Sequence, residues 1–149
     1  MLKNGPLHTV GGTSQWDDPG QVRARFARFG LEEIVTHHKL SSAEFFQRYD
    51  QLRLAPIELA FIDGNHAYEH VRRDFTNVLK NARKNCYILL HDSNIYLREM
   101  VRHAGVKRWL KQVSQHKELF ELVDFPFSSG VALVRVLRKN AWQYIAQAR

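Results

Sequence analysis

Two stretches of this chain place groups able to move protons or hold cations directly after an apolar run. The first reads Phe61-Ile62-Asp63-Gly64-Asn65-His66-Ala67-Tyr68-Glu69 and the second Ile88-Leu89-Leu90-His91-Asp92-Ser93-Asn94. Two carboxylates joined by a carboxamide or an imidazole make a hard, oxygen-rich site of the kind that takes Mg²⁺. The same imidazole can instead accept a proton from a substrate hydroxyl. A plainer reading makes Asp63 and Asp92 caps of the helices that follow and Gly64 a turn residue. Two matched strand-to-Asp junctions in succession favour the site.

Delivering both aspartates to one place needs a particular scaffold. Ile57–Ile62 and Cys86–Leu90 are apolar runs of strand length, as expected for strands buried on both faces of a parallel sheet. Between them, residues 66–84 carry Val71, Phe75, Val78 and Leu79 at helical spacing. If the two strands are parallel neighbours, about 4.8 Å apart, their carboxyl ends open on one crevice. Asp63 and Asp92 then face each other there, with His66 and His91 close by.

The remaining segments extend this α/β alternation. Leu7–Val10 reads as a short strand. Asp17-Asp18-Pro19 starts a helix over Gln21–Phe29 that Gly30 stops. Glu33–His37 is a brief strand, and Ser41 or Ser42 caps a helix running to Tyr49 or Leu52. Ile95–Val113 reads as helix broken near Gly105, Leu119–Phe125 and Gly130–Leu137 as a hairpin, and Asn140–Arg149 as a terminal helix. Phe26, Phe29, Phe45 and Phe46 are expected in the core, and Trp109 either there or as a partner contact. His37 and His38 read as hydrogen-bonded or solvated, and His103 and His116 as surface residues.

Bulk properties bound the function. A length of 149 residues with 44% hydrophobic residues suits one globular domain, residues 1–149. The single cysteine, Cys86, excludes an internal disulfide and cysteine zinc fingers. No apolar stretch approaches the roughly 20 residues of a membrane helix, and no secretory leader pattern follows Met1, so a cytoplasmic protein without membrane contact is expected. The net charge of +7 is uneven: residues 1–94 hold 12 basic and 11 acidic side chains, residues 95–149 hold 10 and 4. Nucleic acid is not the expected partner, because no run of adjacent Lys/Arg exceeds two. A phosphate-binding Gly-x-x-x-x-Gly-Lys loop and a Gly-x-Ser-x-Gly elbow are both missing. Gly64-Asn65-His66 matches a metallophosphoesterase fragment without that signature's other parts.

Ile57–Glu69, then Arg73-Asp74, then Ile88–Asp92 resemble the class I S-adenosylmethionine-dependent methyltransferases, closest to the small-molecule O-methyltransferase-like group (methyltransferase family 24). That group carries strand–Asp-Gly-x-His-x-Tyr-Glu, a helix, and strand–His-Asp. Ser129-Gly130-Val131-Ala132 fits the start of its reversed last strand. The resemblance, over residues 8–137, implies a Rossmann-like, mostly parallel sheet with a C-terminal antiparallel hairpin. It implies methyl transfer from S-adenosylmethionine to a hydroxyl of a small molecule or sugar. His66 becomes the base, and Asp63 and Asp92 orient the acceptor directly or as ligands of Mg²⁺. Cofactor contacts fall to Ser14, Ser41, Ser42 and Asp63.

Gly12-Thr13-Ser14-Gln15-Trp16 aligns with the end of that family's second strand, with Ser14 where an acidic residue holds the ribose. Only Met1–Pro6 precede it, so the family's first βα unit and Gly-rich loop are expected to be lacking: an N-terminally truncated domain. In the doubly wound order that first strand is central, and its loss leaves interior edges to be rearranged or completed by a partner chain or second copy. The alternative function is a non-catalytic methyltransferase-like scaffold, touching polyanions through its basic C-terminal third.

Overall fold

The computed structural model describes residues 6–12, 16–94 and 105–145. The chain divides into two compact units, residues 1–54 and 55–149.

In the first unit, β1 (Leu7–Val10) and β2 (Val35–His38) form a parallel two-stranded sheet, with Leu7 opposite Val35 and Val10 opposite His38. Between them runs α1 (Pro19–Ala27), and α2 (Ser42–Gln47) follows. Each helix begins where its capping residue dictates. The Asp18 carboxylate accepts from the Gly20 and Gln21 amides with Pro19 in the first turn, and Ser41 forms a reciprocal capping box with Glu44. Val22 and Phe45 are buried, whereas Phe29 is 77% exposed, against the expectation of a core position. Phe29 falls just past the end of α1, where the apolar spacing no longer follows a helical face.

Three histidines cross this small sheet. The His8 and His38 rings face each other, Nδ1 to Nε2, at 3.2 Å, and His37 lies 3.0 Å from both Thr9 Oγ1 and the Trp16 carbonyl. The last two are hydrogen bonds, as the sequence suggested. Burial holds the His8 and His38 imidazoles below their ordinary value of 6.5, and His8 and His37 lower His38 further. A depressed imidazole binds protons more weakly folded than unfolded, so its contribution to stability is whole above pH 6.5 and declines as pH falls through the folded values. Amides of β1 and β2 are therefore expected to lose hydrogen-exchange protection between neutral pH and about pH 5, after correction for intrinsic rates. Unchanged protection there would refute the buried-imidazole account.

The second unit holds β3 (Ile57–Ile62), α3 (Tyr68–Asn81), β4 (Ala82–His91), α4 (Gly105–Val113), β5 (Phe120–Phe125), β6 (Val131–Val136) and α5 (Trp142–Ile145). Its four strands lie in the order β3-β4-β6-β5. β3 and β4 are parallel, and β6 is antiparallel to both its neighbours, β4 and β5. Three strands thus share a direction and the last is reversed between two of them, the mixed α/β arrangement expected.

On one face, Cys86, Ile88 and Leu90 of β4 and Ala132, Val134 and Val136 of β6 are buried. α3 lies against β3 and β4 and packs beside α4 and α5, burying its expected stripe of Val71, Phe75, Val78 and Leu79. Trp109 is buried as well, 5.6 Å from the Phe75 ring. Burial pushes the Cys86 thiol up to about 11, which makes it a packing residue rather than a nucleophile.

The expectation that Ile57–Ile62 is buried on both faces fails. Leu59 and Phe61 are 65% and 60% exposed, and Tyr87 beside them on β4 is 40% exposed. Among the described residues β3 pairs only with β4 and α3 covers a single face, so alternate side chains of the run point outward. No helix among the described residues is long and apolar enough to cross a membrane.

Candidate active site

β3 and β4 end in step, Ile62 opposite Leu90. The chain therefore leaves the sheet at Asp63 and His91 side by side, with His91 Nδ1 3.1 Å from Asp63 Oδ1. Parallel direction and matched register, both consequences of apolar runs terminated by polar residues, bring the two junctions to one crevice. Asp92 follows with φ of 63°, a left-handed conformation that an aspartate tolerates better than most residues. That turn lets consecutive residues serve the same cleft. Asp92 Oδ2 lies 2.8 Å from His66 Nδ1, and its Oδ1 lies 3.1 Å from His91 Nδ1.

His66 sits in the loop entering α3. The N-cap of that helix is Ala67, without a side-chain cap, and Asn65 Oδ1 accepts from the Ala67 amide at 2.9 Å. Asp63 is thus not a helix cap, and its carboxylate is left to the cleft. Gly64 has neither a positive φ nor a crowded Cβ position, so the turn does not depend on its being glycine. Gly105, at the start of α4, is different: a Cβ there would lie 2.1 Å from the His66 carbonyl and 2.3 Å from the Tyr68 amide. α4 thereby braces the loop that presents His66.

The opposite wall comes from the β5–β6 hairpin. Ser129 Oγ lies 3.1 Å from His91 Nε2, and the Asn94 amide donates to the Ser129 carbonyl at 2.8 Å. Gly130 has φ of 81°, and a Cβ on it would reach the Ser93 hydroxyl at 2.5 Å. Ser93 donates to Asp124 at 2.7 Å and Asn94 to the Pro126 carbonyl at 2.6 Å. Both side chains tie the Asp92 loop to the hairpin. Ser129 was legible only as a strand start. Its role follows from the pairing of His91 with Val131 across β4 and β6.

Asp63, His66, Asp92 and His91 therefore form one cluster. Asp92 is 9% exposed, His66 21%, His91 34% and Asp63 46%, so the group is walled at Asp92 and open at Asp63. It can orient a hydroxyl and take its proton. The atoms able to meet at one cation belong to Asp63, His66 and His91, all within 4.8 Å of one another.

Ser14, Ser41, Ser42 and Asp63 are the residues expected at the cofactor. Ser14 lies outside the described residues, as does His103. Ser41 spends its hydroxyl on the capping box, donating to Glu44 Oε2 at 2.7 Å and accepting from the Glu44 amide at 3.2 Å. Ser42 is the first residue of α2.

Comparison with known proteins agrees with this architecture. The O-methyltransferase TomG from Streptomyces achromogenes, in complex with SAM, superposes with a TM-score of 0.73 at 17% identity, covering 93% of this chain and 65% of that one. The O-methyltransferase from Bacillus cereus in complex with SAH gives 0.71 at 15% identity, covering 90% and 63%. These likenesses establish the Rossmann-like methyltransferase fold. Uncharacterized protein y4gI of Sinorhizobium fredii (strain NBRC 101917 / NGR234) is 22% identical over 103 residues, which are 69% of this chain and 11% of that protein. The chain thus spans just under two thirds of the solved structures and about a tenth of the curated relative. The profile of the family described as "Methyltransferase domain" matches residues 2–93, more than half of the chain and inclusive of both strand ends, and the chain belongs to that family.

Proposed function

We propose that the chain supports methyl transfer from S-adenosylmethionine to a hydroxyl group of a small molecule or sugar. The observation that carries this reading is the cluster at the carboxyl ends of β3 and β4, in a chain of the methyltransferase-domain family. When bound, S-adenosylmethionine supplies an electrophilic methyl group on a sulfonium. Ser14, Ser41, Ser42 and Asp63 are the residues proposed to hold the cofactor, and the chain's own chemistry is that of the acceptor side.

His66 is the proton acceptor in this reading. Its Nδ1 faces Asp92 at 2.8 Å, which fixes Nδ1–H and leaves the Nε2 lone pair toward Asp63 and the open end of the cleft. A hydroxyl placed there could pass its proton to Nε2, and Asp92 would stabilise the imidazolium that forms. Asp63, the most exposed of the four, orients the hydroxyl.

Calorimetric titration of the folded chain with S-adenosylhomocysteine tests the cofactor half of the reading, and transfer of labelled methyl to a panel of polyhydroxylated acceptors tests the other half. Saturable binding with label in an ether product is expected. A flat titration on a folded chain would leave the scaffold alternative standing.

A further inference from the structure

We infer that the hollow between α4 and β5 is a binding site for a phosphate monoester of a small molecule. Its volume is about 470 Å³, the size of small-molecule sites. The floor is apolar, made by Leu110 of α4 and Leu122 of β5. Around it stand three cations, Lys107, Arg108 and Lys111, against one carboxylate, Asp124. An apolar floor under a cationic rim suits an anionic group carried on an organic body.

The rim is held in place rather than merely solvated. The Arg108 guanidinium carbon lies 4.3 Å from the centre of the Tyr68 ring, over its face. Tyr68 is anchored in turn, its hydroxyl donating to Gln112 Oε1 at 2.5 Å, and Gln112 stands one turn beyond Arg108 on α4. Stacking fixes the plane of the guanidinium and leaves its fork of N–H groups for an anion. Arg108 and Lys111 have no carboxylate partner among the described residues. Asp124, the one acidic group of the lining, is already engaged, accepting from the buried Ser93 hydroxyl at 2.7 Å.

The charge selects the ligand. The lining carries a surplus of two positive charges, and a phosphate monoester carries about −1.5 to −2 at neutral pH. Its three terminal oxygens can meet a guanidinium fork and an ammonium at once. A carboxylate offers half that charge. A nucleic acid, by contrast, gains its affinity from many phosphates met along an extended surface, not from one hollow. The surplus of basic residues in 95–149 thus comes to a focus at a single place that the methyl-transfer reading leaves unused. The site stands on this lining and does not depend on methyl transfer.

Calorimetric titration of the full chain with phenyl phosphate, without S-adenosylmethionine, reads the site directly. One molecule per chain is expected, with benzoate at least about 10-fold weaker and phenol weaker still. Arg108→Gln and Lys111→Gln should each weaken phenyl phosphate binding about 10-fold or more, the loss expected when a hydrogen bond to a charged group is removed. Lys139→Gln removes the same charge outside the hollow and should leave the affinity within about twofold at physiological salt. Circular dichroism checks that each variant remains folded. No saturable binding by the folded parent would overturn the proposal, as would benzoate or phenol binding as tightly, or an equal loss in Lys139→Gln. So would displacement of phenyl phosphate by double-stranded RNA at equal phosphate concentration, the mark of a polyanion surface. Because S-adenosylhomocysteine binding is measured separately, failure here and failure of the methyl-transfer reading are distinguishable.

Discussion

His66→Ala is expected to lower the proposed methyl transfer by about 10²–10⁴-fold, the range over which a positioned general base contributes. The argument is one of geometry. Nε2 is the lone pair that the cleft leaves uncommitted, because Nδ1 is held by Asp92 at 2.8 Å and Nε2 has no hydrogen-bond partner among the described residues. Alanine at this position removes the proton acceptor while the Asn65 bond to the Ala67 amide still shapes the loop. The loss therefore belongs in the transfer rate at saturation, with S-adenosylhomocysteine affinity unchanged. Asp92→Asn separates a base from a mere spacer. An amide oxygen still accepts the Nδ1–H but no longer offsets the charge of an imidazolium, so the rate falls in Asp92→Asn although the ring keeps its partner. Retention of the rate within about threefold in His66→Ala would remove His66 from the proton path.

How much of this was legible beforehand depends on which physical signal a residue carries. The β3–β4 pair could be read because an apolar run ending in Asp occurs twice with a helical stripe between, and parallel strands with a crossover helix are what that order builds. α3 was equally clear, since its four buried residues are the four that the spacing selected. Both faces of β3 could not be judged, because an unbroken apolar run looks the same whether one face or two is covered. Leu59 and Phe61 differ from Ile62 only through tertiary surroundings. Within the site, Asp63, His66, His91 and Asp92 stood out by type and position. The part played by Ser129 did not, because it needs the reversed strand β6 laid beside β4. That Asp92 turns onto His66 needs its positive φ, which no local sequence rule demands of an aspartate. Ser41 carried two readings, and its hydroxyl went to the capping box that Glu44, three residues on, makes possible.

Trp109→Ala costs about 3–5 kcal/mol of stability, the usual loss when a buried aromatic is cut to a methyl group. Trp109 is 1% exposed and joins the two helices that frame the site: its ring lies 6.1 Å from that of Tyr68, at the start of α3, and 5.6 Å from that of Phe75 about two turns later, both edge-on. Phe75 in turn lies 5.9 Å from Phe120 at the start of β5, so the cavity opens in the middle of an aromatic row and not at its end. Domains of this kind are stable by only about 5–15 kcal/mol, so the change removes a large share of the total. For about 150 residues each kcal/mol moves the melting temperature by about 2–4 °C, which places the expected drop at about 6–20 °C. Trp109→Phe is the informative companion. Trp109 Nε1 is buried without a partner among the described residues, so phenylalanine gives up volume but also an unpaired donor whose burial costs about 1–3 kcal/mol. The two effects oppose, and the phenylalanine variant should melt much closer to the parent than the alanine one. Equal losses in both variants would mean that the indole N–H, rather than ring volume, holds α4 against α3. The loop of His66 rests on the first residue of α4 through Gly105, so hydrogen-exchange protection of the Ala67 and Tyr68 amides should fall together with the melting temperature in the alanine variant.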